Sequence, residues 1–144
     1  QTGAFASSYG GSSLDASLLQ AAPLRFLPRD HPKLVGTIDA IARDLIHDGW
    51  LLRYRYDDSF GVPEVAFVIC TFWLVEALAV IGRRDQAQEL LAQTLSAMSP
   101  LGLLAEDWSP GAGRLWGNFP QAYSHVGLIH AAFAASPGWH EAGL

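Results

Sequence analysis

Apolar residues recur at helical spacing in several stretches of the chain, and nowhere is there a sustained strand-like alternation. Residues 14–22 (LDASLLQAA) predict a short apolar helix that stops before Pro23. After the turn RFLPRDHP, residues 30–47 predict a longer one. Asp30 is placed as its N-cap with Pro32 in the first turn, and Leu34, Ile38, Ile41, Leu45 and Ile46 form its stripe up to Gly49. Residues 65–81 (VAFVICTFWLVEALAVI) are apolar nearly all round, broken only by Thr71 and Glu76. Such a helix is buried on most sides or spans a membrane. This one falls short of the about 20 residues of a span and carries an internal acid, so burial is the expectation. Gly82 ends it, with Arg83 and Arg84 set against its C-terminal dipole. Residues 85–98 are amphipathic, with Ala87, Leu90, Leu91, Leu95 and Met98 on one face. Residues 118–135 form the last helix. Asn118 and Gln121 resemble a capping box, and Val126, Ile129 and Phe133 form the expected packing face.

The amphipathic segments alternate with the more apolar ones. Connections from an apolar helix to an amphipathic one are short, and the returns, residues 48–63 and 99–117, are long. This is the pattern of αα-hairpins stacked in an inner and an outer layer, which puts both long loops at one end. The irregular stretch 1–13 is expected to join them. Loops of that length inside a compact domain are usually functional. The expected class is therefore all-α, with about five helices and roughly two and a half hairpins of the about six that close a ring. The open edges should leave apolar flanks exposed on inner helices such as 65–81, at a cost of roughly 25 cal/mol per Å². Association with more chain, or with a second copy, should follow.

Composition narrows the possible roles. Half of the 144 residues are hydrophobic, 16% are charged and the net charge is -5. That suits one domain or part of a larger core, and the acidic balance argues against a nucleic-acid partner, which would need a basic patch. A lone cysteine, Cys70, forms no internal disulfide, and the N-terminus lacks the basic and apolar regions of a signal peptide. A cytoplasmic location is the expectation. A chain that begins without Met in mid-motif reads as a fragment or a processed product.

The chemistry-bearing residues sit in the two long loops. In LLAEDWSPGAGRLWGNFPQAYSH, Glu106 and Asp107 stand beside Trp108, with Trp116 following. Paired carboxyl groups serve glycoside hydrolysis, and aromatic faces stack on sugar rings. The alternative is a solvated acidic loop with both indoles tucked against the core. In LLRYRYDDSFGVPE, Arg53 and Arg55 alternate with tyrosines ahead of Asp57 and Asp58. An arginine fork can take sugar hydroxyls, and the alternative is a local Arg–Asp ion pair. His125 and His130 are five apart rather than four, while His31, His47 and His140 sit near helix ends or in the tail. No zinc-ligand spacing and no phosphate-binding glycine loop occurs, so no metal and no cofactor is expected. Ser124 and His125, neighbours on one helix, point apart and make no nucleophile–base pair.

GLLAEDWSPGAGRLWGNFPQAYSHVGLI resembles the C-terminal part of glycoside hydrolase family 15, the glucoamylase-like enzymes. GWLLRYRYDD, EVAFVICTFWLVEALAVIGRRDQAQELL and SSLDASLLQAAPLRFLPRDHPKLVGTIDAI are similar to the segments that precede it, so the likeness covers almost the whole chain. It implies that residues 1–144 are the C-terminal portion of an (α/α)6 barrel catalytic domain, with no separate second domain. It implies inverting hydrolysis of an α-glucoside, oligosaccharide or disaccharide, of the glucan 1,4-α-glucosidase or trehalase type. The resemblance places the general base on Glu106 and a sugar-holding arginine on Arg55, with Trp108 and Tyr123 as aromatic neighbours of the pocket. Glu64, Asp107 and Trp116 are further candidates. Asp107 stands where Glu or Gln is commoner, Trp108 where Tyr is usual, and Val65 replaces a glycine. The family's general acid lies in an earlier part of the barrel, so the chain alone should be inactive. A helical scaffold, or an inactive relative of the same fold, is the competing reading.

Overall fold

The computed structural model describes residues 3–59 and 61–138, so the expectation for His140 lies outside the described residues. A 3-10 helix, Ala16–Ala21, opens the packed part of the chain, and Asp15 caps it by accepting from the Ser17 N–H. Helices α1 (Pro32–Leu45), α2 (Val68–Val80), α3 (Arg84–Leu95) and α4 (Ala122–Ala135) follow. Five short strands, β1 (Ile46–His47), β2 (Trp50–Leu51), β3 (Ala66–Phe67), β4 (Asp107–Ser109) and β5 (Arg114–Trp116), line the loops.

Helix α2 is the centre. It packs against α4 and the 3-10 helix on its own layer and against α3 behind, while α1 covers the 3-10 helix. The expected inner and outer layers therefore form, as stacked αα-hairpins. The core joins Leu19, Leu34, Ile38, Ile41, Leu51, Phe72, Leu74, Val75 and Leu104, all essentially fully buried. Thr71, the polar break in α2, accepts the Leu51 N–H at 3.1 Å and so ties β2 to the helix. Glu76 is half-buried, and burial raises its carboxyl pKa against the pull of His130 on α4. No helix among the described residues is long and apolar enough to cross a membrane.

Helix ends differ from the sequence expectation where a polar side chain finds another use. Asp30 does not cap α1. His31 does, its ring Nδ1 accepting from the Lys33 N–H at 3.1 Å. The helix stops at Leu45 rather than continuing to His47. Asp48 and Gly49 both take positive φ (49° and 82°), and the turn they make folds β1 back onto β2. Helix α2 starts at Val68, because Ala66 and Phe67 are taken into a strand. Arg83 pairs with Asp39 of α1 rather than with the end of α2. The capping box expected at Asn118 does not form: α4 begins at Ala122, and its N-cap Gln121 makes no side-chain cap bond.

The packing face of α4 is the reverse of the expected one. Ser124, Gly127, Ala131 and Ala135 are buried, while Val126, Ile129 and Phe133 are 50%, 53% and 71% exposed. Small residues win this face because α4 lies very close to α2. A Cβ on Gly127 would come within 3.1 Å of Ile69 and 3.3 Å of Phe72. The apolar flank at the open edge is therefore on α4, and α2, covered on several sides, is mostly buried.

Candidate active site

The two long loops meet at one end of the helices, as their alternation with short turns requires. Strands β3, β4 and β5 form an antiparallel sheet pairing Phe67 with Asp107 and Asp107 with Trp116. Residues 107–116 thus form a hairpin that β3 holds against the start of α2. Residues 3–13 join the first of these loops: Ser12 and Ser13 line a hollow with Arg55 and Tyr56.

Glu106 sits immediately before β4 and is fixed at every backbone group. Its N–H donates to the Asn118 carbonyl at 2.9 Å, and its carbonyl accepts from the Val68 N–H at 3.0 Å. Two contacts from α4 hold the chain just ahead of it. The Ser124 hydroxyl donates to the Ala105 carbonyl at 2.8 Å. The His125 ring lies 2.8 Å from the Gln121 carbonyl through Nδ1 and accepts the Leu104 N–H at 3.3 Å through Nε2. That pairing places the ring proton on Nδ1. Ser124 and His125, which make no catalytic pair, are the pins between loop and helix.

The Glu106 carboxylate accepts three hydrogen bonds. The Tyr123 hydroxyl donates to Oε1 at 2.7 Å. The side chain of Asn118 donates to Oε2 at 2.7 Å, and the Asn118 N–H to the same oxygen at 3.2 Å. Donors stabilise the ionised form, so the pKa lies below the ordinary carboxyl value, with the Tyr123 bond as the largest cause. The Tyr123 hydroxyl is pushed the other way, by burial first and then by the bond to Glu106, and it keeps its proton.

Asp107 behaves oppositely. It lines a hollow of about 250 Å³ with Arg53, Tyr54, Pro63, Val65 and Phe67. Burial, and then the neighbouring Glu106 charge, raise its pKa from 3.8 to about 6. Phe67 lies between the hollow and the Glu106 cluster, its ring 5.6 Å from that of Tyr123.

Not every candidate residue joins this cluster. Arg55 donates to the Ile46 carbonyl at 2.9 Å and lines an adjoining hollow with His47, Leu52, Val62, Pro63 and Glu64. Pro63 is the wall common to the two hollows. Trp108 gives its ring to Trp50, stacked at 5.1 Å, where a sugar-stacking face had been expected. Trp116 is about half exposed, with the Arg114 guanidinium 4.4 Å above its ring. Two residues emerge that sequence reasoning used otherwise. Asn118 was expected to cap a helix. Arg53 lines the hollow of Asp107 and pairs with Asp15 at 2.8 Å rather than with Asp57 or Asp58. The motif GNFPQAYSH around Asn118 was the signal for the first. For Arg53 nothing local points to Asp15, which lies far away in sequence.

The family model for glycosyl hydrolases family 15 matches residues 1–133. The chain belongs to this family. Trehalase of Mycolicibacterium smegmatis is 50% identical over 126 residues, covering 85% of this chain and 19% of that protein. Trehalase of Mycobacterium tuberculosis is 48% identical over 132 residues, covering 90% of the chain and again 19% of the relative. A solved wild-type glycosidase superposes with a TM-score of 0.79 at 25% identity, over 94% of this chain and 39% of that one. The chain thus spans about a fifth of the length of the trehalases it matches. Its share of the fold is the part that places Glu106, Asp107, Asn118 and Tyr123 at the loop end of α2 and α4.

Proposed function

We propose that residues 1–144 are the C-terminal portion of the catalytic domain of an inverting α-glucoside hydrolase, and that Glu106 is its general base. The observation that carries this reading is the carboxylate of Glu106, held ionised by Tyr123 and Asn118 beside a hollow lined by Asp107 and Phe67. A base must be deprotonated before it can take a proton from water, and the low pKa ensures that at neutral pH. The similarity to trehalases favours the α,α-linked disaccharide over starch-like dextrins as substrate. Arg55 and Glu64 bind sugar hydroxyls from the adjoining hollow, and exposed Trp116 adds an aromatic edge.

Hydrolysis with inversion needs a second carboxyl group, about 6.5–9.5 Å from the first, to protonate the leaving oxygen. Asp107 is the immediate neighbour of Glu106 in the chain, so the acid is assigned to another part of the polypeptide. The remainder of the ring covers the apolar stripe of α4, or a second copy does so in its absence. The reaction site is cytoplasmic in this reading.

The test uses the longest open reading frame that contains this chain, assayed on α-linked disaccharides. Inversion of trehalose releases α- and β-glucose in equal amounts at early times, seen by NMR, whereas retention releases the α-anomer alone. Glu106→Gln should lower kcat by roughly 10²–10⁴-fold, and residues 1–144 by themselves should show no turnover. An unchanged rate in the variant would remove the assignment of the base. Failure of the whole polypeptide to cleave any α-glucoside would leave the scaffold reading.

A further inference from the structure

The two oxygens of Glu106 are not equivalent. A carboxylate has about four lone-pair sites, two on each oxygen. On Oε2 both are filled by Asn118, one by its backbone N–H and one by its carboxamide. On Oε1 one is filled, by the Tyr123 hydroxyl. We propose that Oε1 is the atom that takes the proton from the attacking water, and that Asn118 is the positioning residue that makes it so. This deepens the reading of Glu106 as the general base and rests on it.

In the step itself the water O–H bond breaks and its proton goes to Oε1. The water oxygen bonds to the anomeric carbon as the glycosidic C–O bond breaks. The departing oxygen takes a proton from the carboxylic acid supplied elsewhere in the polypeptide, and the two carboxyl groups reset through solvent.

The local backbone is shaped for this double donation. Glu106 N–H donates to the Asn118 carbonyl while Asn118 N–H donates to the Glu106 side chain, so the two residues close on each other. Residue 117 must then pass against both acids. Gly117 has φ +75°, and a Cβ there would lie 2.8 Å from Asp107 Oδ2 and 3.1 Å from Glu106 Oε2. Only glycine allows the approach without displacing a carboxylate. Tyr123 approaches from the first turn of α4, on the other oxygen, and keeps its donor proton because burial and the acid oppose its ionisation. With Oε2 held twice by Asn118 and Oε1 once by Tyr123, turning the carboxylate to offer its other edge breaks these bonds, which favours one direction for the free lone pair on Oε1.

The experiment follows the Glu106 side-chain carboxyl by carbon-13 NMR through an acid titration of the 144-residue chain. It compares the native chain with Asn118→Ala, Asn118→Ser and Asn118→Asp. Asn118 is exposed, and circular dichroism checks that each variant folds. Loss of the side-chain donor in Asn118→Ala should move the Glu106 midpoint to higher pH. Asn118→Asp, which replaces a donor by a second carboxylate, should move it further, and Asn118→Ser should restore part of it. In the whole polypeptide, Asn118→Ala should lower kcat roughly tenfold with KM within about twofold, and the acid limb of the rate profile should follow the NMR midpoint. In a crystal structure, the ordered water should bind the oxygen that Tyr123 holds. A Glu106 midpoint unchanged in Asn118→Asp, or a water seated on the oxygen that Asn118 holds, overturns the proposal. Full activity of Glu106→Gln would instead sink the reading of the base and leave the titration result standing.

Discussion

Adjacent acids with opposite pKa shifts show how sharply the environment changes across one residue. Glu106 meets three donors, and its charge is stabilised. Asp107 faces a hollow walled by Pro63, Val65 and Phe67, and its charge is opposed by burial and by Glu106. The sign of the stability effect follows. From its ordinary 3.8 to about 6, the unfolded chain has released the Asp107 proton and the folded chain has kept it. Stability therefore falls as pH rises through that window and levels off above it. Asp107→Asn removes the ionising group, so its stability should change less between pH 4 and 7, with a higher Tm than the native chain at pH 7. Urea unfolding at the two pH values checks this, and an equal gain at both would exclude ionisation as the cause. Glu106→Gln should also lower the Asp107 midpoint, because it removes the neighbouring charge.

At the scale of elements, hydrophobic periodicity located the helices well, because burying an apolar face is what makes a helix of 12 to 14 residues stable here. It also located the loop end, since short and long connections alternate. Ends and faces were less legible. Asn118 has the look of a cap, yet Glu106, twelve residues back, takes its side chain, and no local pattern carries that information. Val126, Ile129 and Phe133 have the look of a core face, but α4 approaches α2 too closely for large side chains and buries Gly127 instead. Motif resemblance marked Glu106 and Tyr123 as candidates and ran through Asn118, but it carried neither the Tyr123 bond nor the Asn118 bonds to the carboxylate. The close approach makes a direct prediction. A Cβ at residue 127 already presses on Ile69 Cγ1 and Phe72 Cβ, so Gly127→Leu should destabilise the chain by about 1–3 kcal/mol through overpacking. Gly127→Ala should cost less, because roughly 1 kcal/mol of better helix propensity offsets its tighter contacts. Chemical denaturation of both variants checks the order, and equal stability of native and leucine chains would show that α4 is free to move off α2.

For the whole molecule, the decisive fact is that the layers are well formed and yet one inner helix keeps a bare flank. Val126, Ile129 and Phe133 run along α4 at helical spacing with His130 as the polar residue among them, all exposed. An apolar stripe of this kind in water favours association, since contact removes its surface from solvent. The stripe belongs to the same helix that carries Tyr123 on its first turn, so whatever covers it also steadies the helix that holds the Glu106 carboxylate. The isolated 144-residue chain should therefore self-associate, with an apparent mass in sedimentation velocity that rises with concentration. Ile129→Lys combined with Phe133→Glu should return it to a monomer while leaving its circular dichroism unchanged, because neither side chain contributes to the buried face. A native chain that stays monomeric at every concentration tested would mean that the stripe is not adhesive, and that the cost of its exposure is met inside the chain. Association that persists in the double variant would place the contact elsewhere, and the exposed Leu24 and Phe26 beside the turn after the 3-10 helix would be the next surface to change.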